Sequence, residues 1–272
     1  MEYEIIPKEK LTLGFRELWQ YRELFYFFTW RDIKVKYKQT VLGFAWAVLQ
    51  PFLMMVVFSL FFGKALNVPS ENLPYPIFVF SGLLLWNIFS SGITAAGNSM
   101  VSNANIIKKI YFPRLIIPIS SVLVSLFDFL MAAFVFIGML IFYQINIQPF
   151  KIIIFIPFSI LVTCISTFGL GTFLAALNIK YRDFRYIIPF LVQTLLFITP
   201  VIYPVSILTD EWLKYIVSFN PMYAAVTLFR LGFVDTPLQL DLLLISLCSA
   251  MILFFTGLYY FRRTEAYFAD LA

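Results

Sequence analysis

The 272-residue sequence contains no histidine. That absence removes imidazole metal ligands and histidine proton relays together. Cysteine is scarce: Cys164 and Cys248 both fall inside apolar runs, where they read as small core residues and not as a disulfide. Charged residues make up only 13 % of the chain, and no charged side chain occurs from Asn72 to Ile107. No G-x-x-x-x-G-K-[ST] phosphate loop is present; Gly63-Lys64 lacks both the upstream glycine and the following hydroxyl residue. A nucleophile elbow and zinc-ligand spacing are missing as well. No metal site and no cofactor are expected in this chain. The first 40 residues mix six acids with eight bases and carry no leading apolar stretch, so no cleavable signal peptide is expected.

What is present is hydrophobicity in long runs. The chain is 61 % hydrophobic, where a soluble domain is about half apolar. The excess lies in continuous stretches longer than the ~18 residues that read as a membrane span. Six spans are predicted, at about 41–63, 76–100, 115–143, 152–177, 186–205 and 242–261. The fold class is an all-α membrane protein. Prolines punctuate the boundaries: Pro69, Pro74 and Pro76 before the second span, Pro149 before the fourth, Pro204 after the fifth, Pro237 before the sixth.

The basic residues are unevenly spread over the connections. Sixteen of the twenty fall in the N-terminal segment, the 2–3 loop, the 4–5 loop and the C-terminal tail; Lys64, Lys151, Lys214 and Arg230 are left for the other side. By the positive-inside rule both termini are cytoplasmic. The net charge of +5 is thereby assigned to topology and not to nucleic acid.

Three segments are not simple spans. Residues 1–40 form a cytoplasmic segment whose 11–40 part mixes aromatics with charge. Phe15, Leu18, Trp19 and Phe25 fall near one helical face and Arg16, Gln20 and Glu23 near another, which predicts an amphipathic helix in the membrane interface. The stretch 206–240 is too apolar for a plain loop, and Asn220-Pro221 divides it into two short helices, either dipping into the membrane or lying on it. Residues 101–114, NANIIKKIYFPR within them, form a short basic cytoplasmic loop: a topological charge cluster or a docking surface. The tail is 262–272.

Asp128 stands near the middle of the third span. An acid there is costly and is a functional candidate by default, as a proton carrier or as a hydrogen-bonding group between helices. Small residues at four-residue spacing, Gly92 with Ala96 and Gly171 with Ala175, allow close helix packing.

Four stretches in order, RDIKVKYKQTVLGFAWAVLQP, NANIIKKIYFPRLIIP, YRDFRYIIPFLVQTLLFITPVIYP and FNPMYAAVTLFR, resemble the permease subunit of bacterial polysaccharide ABC exporters. The resemblance implies a type-2 exporter permease fold with six spans, an N-terminal interface helix and external gate helices at 206–240. It implies a homodimer with the pore at its interface, a lipid-linked polysaccharide such as O-antigen as substrate, and two separate ATP-binding subunits that hold ATP and Mg. The location implied is the bacterial inner membrane. Asn105, Lys108, Lys109, Tyr111 and Arg114 of the 2–3 loop, with Arg182 and Asp183 of the 4–5 loop, would couple to the ATPase. Phe44, Phe52, Phe197 and Tyr203 would turn aromatic faces to the pore. Asn220, Pro221 and Tyr223 would belong to the external gate. Arg31, Lys34, Lys36 and Lys38 would lie at the cytoplasmic mouth, attracting the diphosphate of a glycan lipid or anchoring to anionic lipid; Arg31 and Asp32 would pair with each other or with Arg182 and Asp183. A proton-coupled transporter using Asp128 and a membrane-embedded glycan-processing enzyme remain as rivals. The enzyme would require converging acids that the sequence does not supply. Capsule, teichoic acid or a drug are alternative cargoes.

Overall fold

The computed structural model describes residues 15–38, 43–145, 148–235, 238–265 and 268, and among them the ordered elements are all helical. In chain order they are α1 (Phe15–Gln20), α2 (Arg22–Lys38), α3 (Ala45–Phe58), α4 (Tyr75–Ser102), α5 (Ala104–Ile107), α6 (Ile116–Phe142), α7 (Pro149–Lys180), α8 (Phe184–Ile198), α9 (Glu211–Ser218), α10 (Pro221–Leu231) and α11 (Leu240–Glu265). A π-helical segment, Ser59–Ala65, continues α3 without a break. The predicted segment 1–14, the start of the first span at 41–42, Pro237 and most of the tail lie outside the described residues.

Among the described residues five helices are long and apolar enough to cross a membrane: Ala45–Ala65, α4, α6, α7 and α11. Prolines open several elements where a missing N–H costs nothing: Pro76 in the first turn of α4, Pro149 of α7 and Pro221 of α10. α8 has 15 residues and a length of about 22 Å. It stops at Ile198, short of the predicted boundary at about 205, because Thr199 precedes Pro200 and is pushed into an extended conformation with ψ 135°.

α4 is the centre of the bundle: 78 % of its most apolar window is buried, against 17 % for Ala45–Ala65. Glycines let its neighbours approach. A Cβ on Gly171 of α7 would sit 2.8 Å from the Ala96 Cβ of α4, and one on Gly92 would overlap Thr167. The predicted small-residue pairs thus meet across α4 and α7. α7 meets α11 more closely still, since a Cβ on Gly257 would overlap the Gly169 carbonyl oxygen.

α2 lies against α6. Its contacts step along α6: Phe28 packs on Phe112 just before α6, Ile33 and Tyr37 cluster with Val124, and Lys36 and Tyr37 reach Asp128. Asp128 lies twelve residues into α6, about 18 Å along its axis. One face of α2 is therefore buried against protein, and Trp19, Tyr26, Phe27 and Trp30 remain exposed on the outside, where interfacial aromatics belong.

Candidate functional site: a polar groove beside α4

A groove of about 1240 Å³ opens between α2, α3, α4, α6 and α8. Its floor is a stripe on α4: Asn87, Ser90, Ser91, Thr94, Asn98 and Ser102, spaced by three or four residues and so on one helical face. Local bonds hold these side chains in place. Thr94 Oγ1 donates to the Ser90 carbonyl at 2.8 Å and Asn98 Nδ2 to the Thr94 carbonyl at 2.8 Å. From α7, the buried Asn178 donates to the Gly97 carbonyl at 2.9 Å and to Asn98 Oδ1 at 3.1 Å. Trp46, Ala47, Gln50 and Pro51 of α3 form one side; Asn103 and Asn105 lie at the end next to the 2–3 loop.

Charge in the lining is confined to Arg31, Asp32, Lys36 and Asp128. Arg31 pairs with Asp32 at 2.7 Å, reaches Asn103 Oδ1 at 2.9 Å and covers the Phe28 ring at 4.6 Å. Asp128 is held twice from α2: Lys36 Nζ donates to Oδ2 and the Tyr37 hydroxyl to Oδ1. Burial, then the adjacent Asp128 carboxylate, push the Tyr37 hydroxyl well above the usual phenol range, so it stays a donor. Tyr37, Phe44 and Phe127 stack beside this pair, with Tyr37 and Phe44 ring centroids 4.5 Å apart.

The predicted residues separate on this frame. Of the four cations assigned to the mouth, Arg31 and Lys36 line the groove; Lys34 lies 5.2 Å over Trp30, and Lys38 is exposed outside the lining. Of the aromatics, none of Phe44, Phe52, Phe197 or Tyr203 belongs to the lining, which takes only Tyr37 and Trp46. Phe52 follows the lining residue Pro51 by one position, hence by about 100° of helix rotation. Phe197 is exposed, and the Tyr203 hydroxyl donates at 3.1 Å to its carbonyl at the end of α8. Apart from the four charged side chains, the polar groups of the groove are chiefly amides and hydroxyls, set among apolar residues.

In the 2–3 loop, Asn105, Lys108, Lys109 and Tyr111 are exposed. Arg114 turns inward: its guanidinium donates to the Glu265 carbonyl, its N–H to Glu265 Oε1 at 3.2 Å, and it stands over the Phe268 ring. A cation there suits the carbonyl end of α11. Arg182 and Asp183 are exposed in the turn between α7 and α8, with no ion pair to the 2–3 loop among the described residues. Among the described residues no group of three or more Asp, Glu, Cys or His side chains is placed to hold a metal ion.

Asn220, Pro221 and Tyr223 form a closed joint. Asn220 Oδ1 accepts from the Met222 N–H at 3.0 Å as the N-cap of α10, and Nδ2 donates to Thr199 Oγ1 at 2.7 Å. Ser246 of α11 donates to the Asn220 carbonyl and accepts from the Ala224 N–H. Tyr223 is buried. Arg230, counted by sequence among external loop charges, is in fact 4 % exposed inside the protein. Its guanidinium lies 3.5 Å over the Phe78 ring and donates to the carbonyls of Pro200, Val201 and Phe78. It closes the backbone acceptors left where α8 ends.

Similarity to known proteins decides the family. The family described as ABC-2 type transporter matches residues 23–234. The chain belongs to that family. An O-antigen export system permease protein RfbA of Myxococcus xanthus is 31 % identical over 224 residues, covering 81 % of this chain and 84 % of that one. The Klebsiella pneumoniae protein of the same description is 28 % identical over 241 residues, 89 % and 92 % of the two chains. A polysialic acid transport protein KpsM of Escherichia coli is 22 % identical over 244 residues, 86 % and 91 %. As an ABC-2 type transporter chain it is a multi-pass membrane protein and a transport component. The match contains the groove, the 2–3 loop and the Asn220–Arg230 joint. The α4 stripe and Arg230 escaped the sequence reading, although polar residues at helical spacing in the second span were its visible signal.

Proposed function

We propose that the chain is the membrane-spanning subunit of an ATP-driven exporter that moves lipid-linked polysaccharide, of the O-antigen class, across the bacterial cytoplasmic membrane. The carrying observation is the groove: about 1240 Å³ with a stripe of amides and hydroxyls along α4, set among apolar lining residues such as Trp46, Pro51, Val124 and Val192, in a chain otherwise dominated by apolar side chains. The stripe can exchange hydrogen bonds with a neutral polyol in place of water, while the apolar part can lie against sugar C–H faces or a lipid chain. The names of the relatives point the same way, two as O-antigen permeases and one as a polysialic acid transporter.

A second copy of this chain completes the path in this reading. Ala45–Ala65 is only 17 % buried, and α8 buries Ile188 alone, so both flanks of the groove are left without protein cover. Energy comes from two ATP-binding subunits carrying ATP and Mg, docked from the cytoplasm on Lys108, Lys109 and Tyr111 and on the Arg182-Asp183 turn. Both termini are cytoplasmic, and α9 and α10 form the external gate. In this reading Asp128 anchors α2 and does not carry protons: Lys36 Nζ and the Tyr37 hydroxyl both donate to its carboxylate.

The test is co-purification of the tagged permease in nanodiscs with the ATP-binding subunit of the same cell. Wild type is expected to return two copies of each, and a K108E/K109E double variant to lose the ATPase while keeping the permease dimer. Absence of any ATPase under every condition sinks this reading and favours Asp128 as a proton carrier.

A further inference from the structure

We propose that Lys36 is a two-partner cation on the groove wall. Asp128 holds it in the empty groove; a phosphate ester or diphosphate that enters takes it over and releases α2 from α6. The proposal rests on the exporter reading, which supplies a ligand with a diphosphate between lipid and glycan.

Four charged side chains line the groove and they cancel in pairs. The two pairs differ. Arg31 is held at several points, with Asp32, Asn103 and the Phe28 ring all in contact. Lys36 has three N–H donors, and Asp128 takes one in an ion pair whose lysine side chain is 43 % exposed. Its open side faces the groove. Asp128 is 12 % exposed as a side chain and keeps the Tyr37 hydroxyl on its other oxygen. Losing Lys36 therefore leaves the carboxylate with a donor, not bare. A diphosphate carries more charge and more acceptor oxygens than one carboxylate, so the exchange runs towards the ligand. Below the pair, Ile33, Tyr37 and Val124 keep apolar contact, which guides α2 back when the anion leaves.

The exchange makes a prediction that a plain phosphate clamp does not: Asp128 opposes binding, and only through Lys36. The permease–ATPase complex in nanodiscs would be titrated with a fluorescent polyprenyl diphosphate. K36Q is expected to weaken binding at least tenfold, D128N to tighten it at least threefold, and K36Q/D128N to match K36Q. Y37F keeps every charge but leaves Asp128 without its second donor once Lys36 departs, and is expected to weaken binding two- to threefold. D128N binding as wild type or weaker overturns the exchange, as does additivity in the double variant. If D128N yields no folded complex, a wild-type affinity in Y37F overturns it. Competition separates the sources. Displacement by inorganic pyrophosphate assigns recognition to the diphosphate alone, and displacement by unlabelled polyprenyl diphosphate only assigns it to the lipid-bound group; both support the exchange. Equal displacement by phosphatidylglycerol overturns it, because Lys36 is then a general lipid anchor. ATPase co-purification in every variant tells failure here from failure of the exporter reading.

Discussion

The α4–α7–α11 core and the α2–α3 wall differ in what holds them. In the core, backbones touch: Gly257 meets the Gly169 carbonyl, and a Cβ on Gly169 would lie 2.6 Å from the Phe254 Cα. In the wall, α2 is held by one ion pair, the Tyr37 hydroxyl, the Arg31–Asn103 hydrogen bond and apolar contacts of Phe28, Ile33 and Tyr37, while α3 and the π-helical segment after it present Leu53, Val57, Leu60 and Phe61 outward. Close packing is bistable or rigid and does not deform gradually, whereas a partly exposed ion pair exchanges partners at small cost. The groove lies between these two regimes. One wall is fixed and the other is free to follow a ligand, a dimer partner or a push from the 2–3 loop.

The sharpest way to break the contrast is a side chain between α7 and α11. Gly257→Val is expected to destabilise by on the order of 3 kcal/mol and to remove most folded protein from detergent extracts. Gly138→Val, where a Cβ meets nothing within 4 Å, is expected to melt as wild type. Arg230→Met comes next, at roughly 2–3 kcal/mol, because three backbone carbonyls lose a charged donor inside the protein. Thermal melting of the purified permease measures it, and Arg230→Lys should recover only part, having no planar fork. Asn220→Ala is expected to cost about 1 kcal/mol as a lost N-cap, read in the same melt. The smallest effect belongs to the wall. The K36Q/D128N pair is expected to change stability by less than about 1 kcal/mol while changing export in cells. A large melting shift in that variant would place the α2–α6 contact in the fixed core and erase the distinction.

The long spans were legible because charge disappears from the chain for whole membrane widths, and length then settles helix over strand. Helix ends were legible where proline marks a start, as at Pro149, and less so where it dictates a stop, as at Thr199-Pro200. Pairing across the chain was not. Nothing local in VKYKQ announces that Lys36 and Tyr37 meet an acid 92 and 91 residues away. The third-span acid looked alone because its cation sits on a helix that is not itself a span. Arg230 was misplaced for a related reason: a count of loop charges treats position in sequence as exposure. Its apolar surroundings, MYAAVTLFRLGF, were the contrary sign. The aromatic residues expected at the pore lie outside this groove; phenylalanine is abundant, with 33 in the chain, and so marks no particular face, while Asn, Ser and Thr at turn-by-turn spacing mark one.

The stripe on α4 has one more property. Asn87, Ser91, Thr94, Asn98 and Ser102 recur about once per turn, so near-equivalent groups follow one another every ~5.4 Å. With the Ser91 and Thr94 hydrogens given to backbone carbonyls, the hydroxyls offer acceptor lone pairs and the amides a second N–H as well. A hydroxyl of a passing glycan that leaves one of them meets its like a turn further on, whatever its own orientation. No depth along the helix is then a resting place and none is a barrier. In the proposed transport role the surface would act as a track of nearly constant friction for polymers whose repeat length it does not need to match.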